Sequence, residues 1–121
     1  MLEFGGSWCL PCRDSRPELD RLAGQFAGKT VKVLSLSVRD KSPDVAMERF
    51  KAQNHAFPLL MEADAVATAY QVRTYPSYYV LGFEGEVLKH EAVYAKDSTV
   101  NGLTSIIESY LSTHPTKPAG N

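Results

Sequence analysis

Three observations predict a layered α/β fold around a mixed central sheet flanked by helices. Short apolar runs alternate with segments of helical periodicity, two of the runs are joined by a tight glycine-bearing turn, and an amphipathic helix closes the chain. The chain of 121 residues, 44% of them hydrophobic, suits one domain, read as residues 1–112, with 113–121 expected as a disordered tail on its Pro, Lys and Gly content. At this length folding buries roughly two-thirds of the unfolded surface, so a core forms without metals or disulfide staples.

The elements follow in order. Leu2 to Phe4 runs into Gly5-Gly6 and reads as the end of a strand entering a loop. From Cys12 onward Leu19, Leu22, Ala23 and Phe26 recur at helical spacing, with Gly28 as a stop signal and Pro17 as the expected site of a kink. Val31 to Val38 reads as a buried strand. Ser42-Pro43 has the form of an N-cap followed by proline at the first helical position, opening a helix that carries Val45, Ala46, Arg49 and Phe50. Phe57 to Met61 is a short apolar run, Asp64 to Tyr70 a short helix, and Ser77 to Leu81 an aromatic strand. Gly82 to Gly85 turns the chain into a hairpin partner over Glu86 to Val93, and Val100, Leu103, Ile106, Ile107 and Tyr110 form the apolar face of a last helix starting at Ser98.

Composition excludes some functions. With 13 Lys plus Arg against 14 Asp plus Glu and no basic cluster in any segment, no nucleic-acid partner is expected. The apolar stretches are a few residues long, far short of the roughly 20 needed to span a bilayer, and no leader is evident, so the chain reads as soluble.

The strongest local signal is Trp8-Cys9-Leu10-Pro11-Cys12, after a strand fragment and at the start of a helix. At a helix N-terminus, free backbone N–H groups and the helix dipole stabilise a thiolate, the attacking species in disulfide exchange. Cys12 lies one turn deeper, close enough to attack a mixed disulfide on Cys9, and Arg13 adds positive charge. A structural bridge would close too small a ring to restrain the unfolded chain much. A zinc site would need a second ligand pair, whereas His55, His90 and His114 are scattered singly and read as ordinary surface or partly packed residues. No metal and no cofactor are expected, and the redox reading is preferred.

Leu2-Glu3-Phe4, the run Trp8 to Arg13, and Pro17-Glu18-Leu19 together resemble the active-site region of the thioredoxin superfamily. Val72-Arg73-Thr74-Tyr75-Pro76-Ser77 is similar to that superfamily's second signature, a cis-proline loop lying against the dithiol, so the resemblance spans Leu2 to about Leu111. It implies a thioredoxin-like fold. Arg39 to Met61, with its extra helix and strand, resembles the insertion of the TlpA/ResA-like branch, whose members are typically exported bacterial thiol-disulfide oxidoreductases, often membrane-anchored. That implies a periplasmic or extracytoplasmic location, with cytoplasmic as the alternative, and an anchor in a longer parent protein.

The resemblance also assigns residues. Ser15 stands where the branch commonly carries a glutamate, and Glu3 falls where plain thioredoxins keep a buried aspartate under the dithiol. A carboxylate buried there has a raised pKa and is a candidate proton acceptor for Cys12; the alternative is a solvent-exposed Glu3. Tyr75, before Pro76, would offer its backbone to an extended substrate segment, and Trp8 would wall the dithiol. Leu10 and Pro11, between the cysteines, lack the histidine of strong oxidants and favour a reductant. Tyr70, Tyr78, Tyr79 and Phe83 are read as packing residues. The expected function is thiol-disulfide exchange through Cys9 and Cys12 with protein disulfide substrates and a redox protein electron donor, by a monomer. The alternatives are a non-catalytic thioredoxin-like binding module and a thiol peroxidase, although the Pro-x-x-x-Thr-x-x-Cys setting of peroxiredoxins is missing around Cys9.

Overall fold

A computed structural model describes residues 1–115. In chain order the elements are β1 (Leu2–Gly5), α1 (Leu10–Gln25), β2 (Leu34–Ser37), α2 (Pro43–Ala52), β3 (Leu59–Leu60), α3 (Asp64–Ala69), β4 (Ser77–Leu81), β5 (Val87–Glu91) and α4 (Ser98–Thr113). They form one five-stranded sheet in the order β3-β2-β1-β4-β5. β1 pairs with β2, and β2 with β3, in parallel, whereas β1 with β4, and β4 with β5, are antiparallel. The sheet is mixed, as the alternating runs and the hairpin predict.

The period-2 alternation of strands sorts side chains onto two faces. On one face Tyr78 and Val80 of β4 meet Leu19 and Leu22 of α1, Phe50 of α2, and Val100, Leu103 and Ile107 of α4. On the other, Phe4, Leu36, Val38 and Tyr79 pack on Ala63 and Ala67 at α3. The same parity sends Glu3, between Leu2 and Phe4, toward the α1 face, where Ser15 of α1 reaches its carboxyl.

The differences from expectation have local causes. α1 starts at Leu10, not Cys12, because Pro11 in the first turn matches helical φ and gives up a donor the helix does not use there. Pro17 lies on the exposed side of α1, which continues to Gln25. Only Leu34–Ser37 of the Val31–Val38 run is laddered; Val33 is still core, packed without strand pairing. The predicted helix at Ser42-Pro43 forms, yet Ser42 makes no side-chain capping bond, and Val45 faces outward. The insertion supplies α2 and the edge strand β3, which extends the sheet beside β2. Glu86 and Val93 flank β5 rather than belong to it, and Gly85, at φ +86°, makes the turn between β4 and β5. α4 reaches Thr113, and His114 stacks on the Tyr110 ring; residues 116–121 of the expected tail lie outside the described residues.

Candidate active site

The loop from β1 delivers Cys9 to the N-cap of α1 in an extended conformation, φ −100° and ψ 106°, which folds its side chain back over the helix end. Its Sγ accepts the Cys12 N–H at 3.3 Å. Cys9 and Cys12 are joined as a disulfide with their Cα atoms 5.3 Å apart. Cys9 keeps 5% exposure and Cys12 none, so an incoming partner reaches the sulfur of Cys9 first. Leu10 and Pro11 stand outward on the first turn.

Cys12 packs directly on β1. A Cβ added at Gly5 would lie 2.7 Å from Cys12 Sγ, so a side chain there would displace the sulfur. The sequence reading took Gly5 only as a loop signal, and this close approach is visible only in three dimensions.

Glu3 is fully buried, against the alternative of a solvent-exposed carboxylate. Its Oε1 accepts the Ser35 hydroxyl at 2.6 Å, and its Oε2 the Ser15 hydroxyl at 3.2 Å. Ser15 also lies 2.9 Å from the Cys12 carbonyl; with one proton to donate, its hydroxyl serves either acceptor and links the carboxyl to the cysteine turn. Burial pushes the Glu3 carboxyl above its ordinary pKa, and the two serine bonds and the Arg16 charge only partly oppose this. Across the ladder from Glu3, the buried Tyr78 hydroxyl is held protonated by desolvation and by the Glu3 charge. The Ser15 position, read as the loss of an acid, is thus a donor to the acid on β1. Ser35 carried no signal in the sequence.

The Tyr75–Pro76 peptide bond is cis. Phe4 pairs with Ser77, so the next step of that register sets Pro76 beside Gly5, next to the cysteine turn. Trp8 is 45% exposed and turned outward; its indole N–H donates to the Val38 carbonyl at 2.8 Å, and its ring meets Tyr75 edge-on at 5.4 Å. The Arg39 guanidinium lies 5.1 Å from the Trp8 ring and 5.0 Å from that of Tyr75. Trp8 and Tyr75 are thus an aromatic pair fastened by a cation, and Arg39 escaped the sequence reading because it is 31 and 36 positions from its partners. Asp40 secures the same loop by accepting from the Ser7 N–H and from the hydroxyls of Ser7 and Ser37.

A mixed sheet with a cysteine pair on the first turn of α1 and a cis-proline loop beside it defines a thioredoxin-like domain with a paired-cysteine centre. The chain belongs to the AhpC/TSA family, which it matches over residues 1–90. Among curated relatives it is 27% identical over 88 residues to thioredoxin-like protein YneN of Bacillus subtilis, covering 72% of this chain and 52% of that protein. It is 26% identical over 109 residues to thiol-disulfide oxidoreductase ResA of Bacillus subtilis, covering 88% of this chain and 60% of ResA. The chain thus spans about half the length of the first of these relatives and three-fifths of the second. Among solved structures, StoA from Bacillus subtilis superposes with a TM-score of 0.75 at 22% identity, covering 88% of this chain and 79% of StoA. A putative thiol:disulfide interchange protein DsbE from Chlorobium tepidum superposes with a TM-score of 0.79 at 24% identity, over 91% of this chain and 77% of that one. These likenesses show the fold.

Proposed function

We propose that the protein is a thiol-disulfide oxidoreductase acting on protein disulfides, with Cys9 as nucleophile, Cys12 as resolving thiol and Glu3 as the proton acceptor for Cys12. The observation that carries this reading is the Cys9–Cys12 pair at the start of α1, with Cys9 the less buried of the two, linked through Ser15 to a buried, hydrogen-bonded carboxyl. In the reduced protein the Cys9 thiolate attacks one sulfur of the client disulfide, and the other leaves as a thiolate. Cys12 then loses its proton toward Glu3 and attacks Cys9 Sγ. The Cys9–Cys12 bond forms, the mixed disulfide breaks, and the second client thiolate departs; two electrons have passed to the client. A redox protein returns them through the same face.

In this reading Trp8 and Tyr75, whose rings meet edge-on, and the exposed Leu10 and Pro11 contact the client, and the Tyr75 backbone before Pro76 pairs with an extended client segment. The Leu10-Pro11 pair favours a reductant, and extracytoplasmic action as a monomer belongs to the same reading. Among the described residues no helix is long and apolar enough to cross a membrane. Exchange with a disulfide-bonded peptide tests the reading. Cys9→Ser is expected to abolish exchange and Cys12→Ser to accumulate mixed disulfides; turnover retained by Cys9→Ser overturns it. Equilibration in thiol/disulfide buffers fixes the direction: a potential near the roughly −270 mV of thioredoxin supports a reductant, and one near the roughly −120 mV of a strong periplasmic oxidant reverses it.

A further inference from the structure

Behind the cysteine turn, Arg13 and Arg16 of α1 and Arg49 of α2 line one cavity of about 400 Å³. Arg13 and Arg16 are three apart and share a helix face. Arg16 is 8% exposed, its Nε is buried without a hydrogen-bond partner, and its guanidinium lies 5.1 Å from the Phe50 ring centroid. Among the described residues no carboxylate comes within 4.0 Å of any of the three arginines.

The acids nearest Arg16 are already engaged. Glu3 accepts from Ser35 and Ser15, Asp20 from the Ala56 N–H and His55, and Asp40, which also lines the cavity, from Ser7 and Ser37. The buried Arg16 guanidinium, with an unmet donor, is costly to keep, and the exposed Arg13 and Arg49 bring two more positive charges to the same cavity. An oxyanion in the cavity offsets the positive charge, because it accepts from the planar fork of a guanidinium. Phe50, Ala46 and Leu59 form the rest of the wall, an apolar surface suited to the methylene stem of an organic acid. The cavity shares Ser7, Asp40, Ala46 and Arg49 with a trough of about 590 Å³ that reaches Trp8 on the dithiol face.

We propose that the cavity formed by Arg13, Arg16 and Arg49 is a carboxylate-binding site, filled by an aliphatic carboxylate carried on an acidic side chain of a polypeptide docked at Cys9 or on a small free acid.

The first test is calorimetric titration of the oxidised protein with succinate, against sodium chloride of matched ionic strength. Saturable succinate binding, weakened about tenfold in both Arg49→Gln and Arg16→Lys, is the expected result, since the first removes a charged donor and the second keeps the charge but loses the planar guanidinium fork. No binding beyond the salt control, or equal binding by the parent and Arg49→Gln, overturns the proposal; Arg49 is exposed, so that variant does not depend on the core. The second arm compares two disulfide peptides that differ only in Glu or Gln beside the cysteines. Faster exchange with the acidic peptide, inhibited by succinate, assigns the site to a partner's side chain, whereas equal rates with succinate still bound assign it to a free acid. If succinate binds and neither peptide exchanges, the carboxylate site stands and the oxidoreductase reading falls.

Discussion

Glu3 carries the clearest pH signature in the molecule. Its carboxyl is raised above the ordinary value of 4.5 by burial, so the folded protein holds a proton that the unfolded chain releases. The contribution of Glu3 to stability is then greatest below about pH 4.5 and falls as pH rises toward the raised value. Glu3→Gln, which keeps the Ser35 contact without the charge, is expected to melt above the parent at pH 7, with the gap closing toward pH 4; melting curves across that range that run parallel would rule this out. In the exchange assay the same variant should slow release of the mixed disulfide and lose the pH dependence of that step. Gly5 makes a second prediction: Gly5→Ala forces the 2.7 Å approach to Cys12 Sγ to open and is expected to cost ~1–3 kcal/mol in a denaturant titration. At this scale the cysteines stood out by their spacing and Glu3 only through the thioredoxin resemblance, and the three lie within ten residues of one another. Ser35, Arg39 and the arginine cavity are assembled by the sheet from distant positions, and no local pattern marks them.

Helix ends separate sequence form from real contact. Ser42-Pro43 has the pattern of a cap, but the Ser42 side chain makes no capping bond. Ser42→Ala is therefore expected to stay within ~0.5 kcal/mol of the parent, where a bonded cap typically loses ~1 kcal/mol; a loss above that in thermal melts would show that the cap forms in solution. Glu18, on α1, accepts the Tyr94 hydroxyl and the Asp97 N–H, tying that helix to the segment before α4. That contact pushes the Tyr94 phenol up to about 12, after the larger effect of desolvation. Glu18→Ala leaves the Asp97 N–H without its partner and is expected to destabilise the fold by ~1–3 kcal/mol, read as a lower unfolding midpoint. Element types were legible throughout because hydrophobic period and turn residues are local properties. Their limits were not, since pairing with a neighbour decides where a strand stops: β2 covers four residues of the eight from Val31 to Val38, and Val33 packs in the core outside it.

The whole molecule divides its labour between the two faces of one sheet. The α3 face is an apolar and aromatic cluster around Phe4 and Tyr79, while the face under α1 holds Glu3, Ser15, Ser35 and Tyr78. A one-residue slip of β1 would exchange Glu3 with Phe4, so the buried acid and the core depend on the same register. The sheet order has a further consequence, for folding. β1, residues 2–5, is central, but its two neighbours lie at residues 34–37 and 77–81. Closing these long loops is the slow part of building such a sheet. During synthesis β1 emerges first and waits until β4 has left the ribosome to be flanked on both sides. A fragment ending at residue 76 is expected to show no cooperative melt, and one extended through Thr113 to regain it. Until then the half-built sheet presents the unpaired edge of β1, an opening for chaperone capture or for strand exchange with another nascent chain.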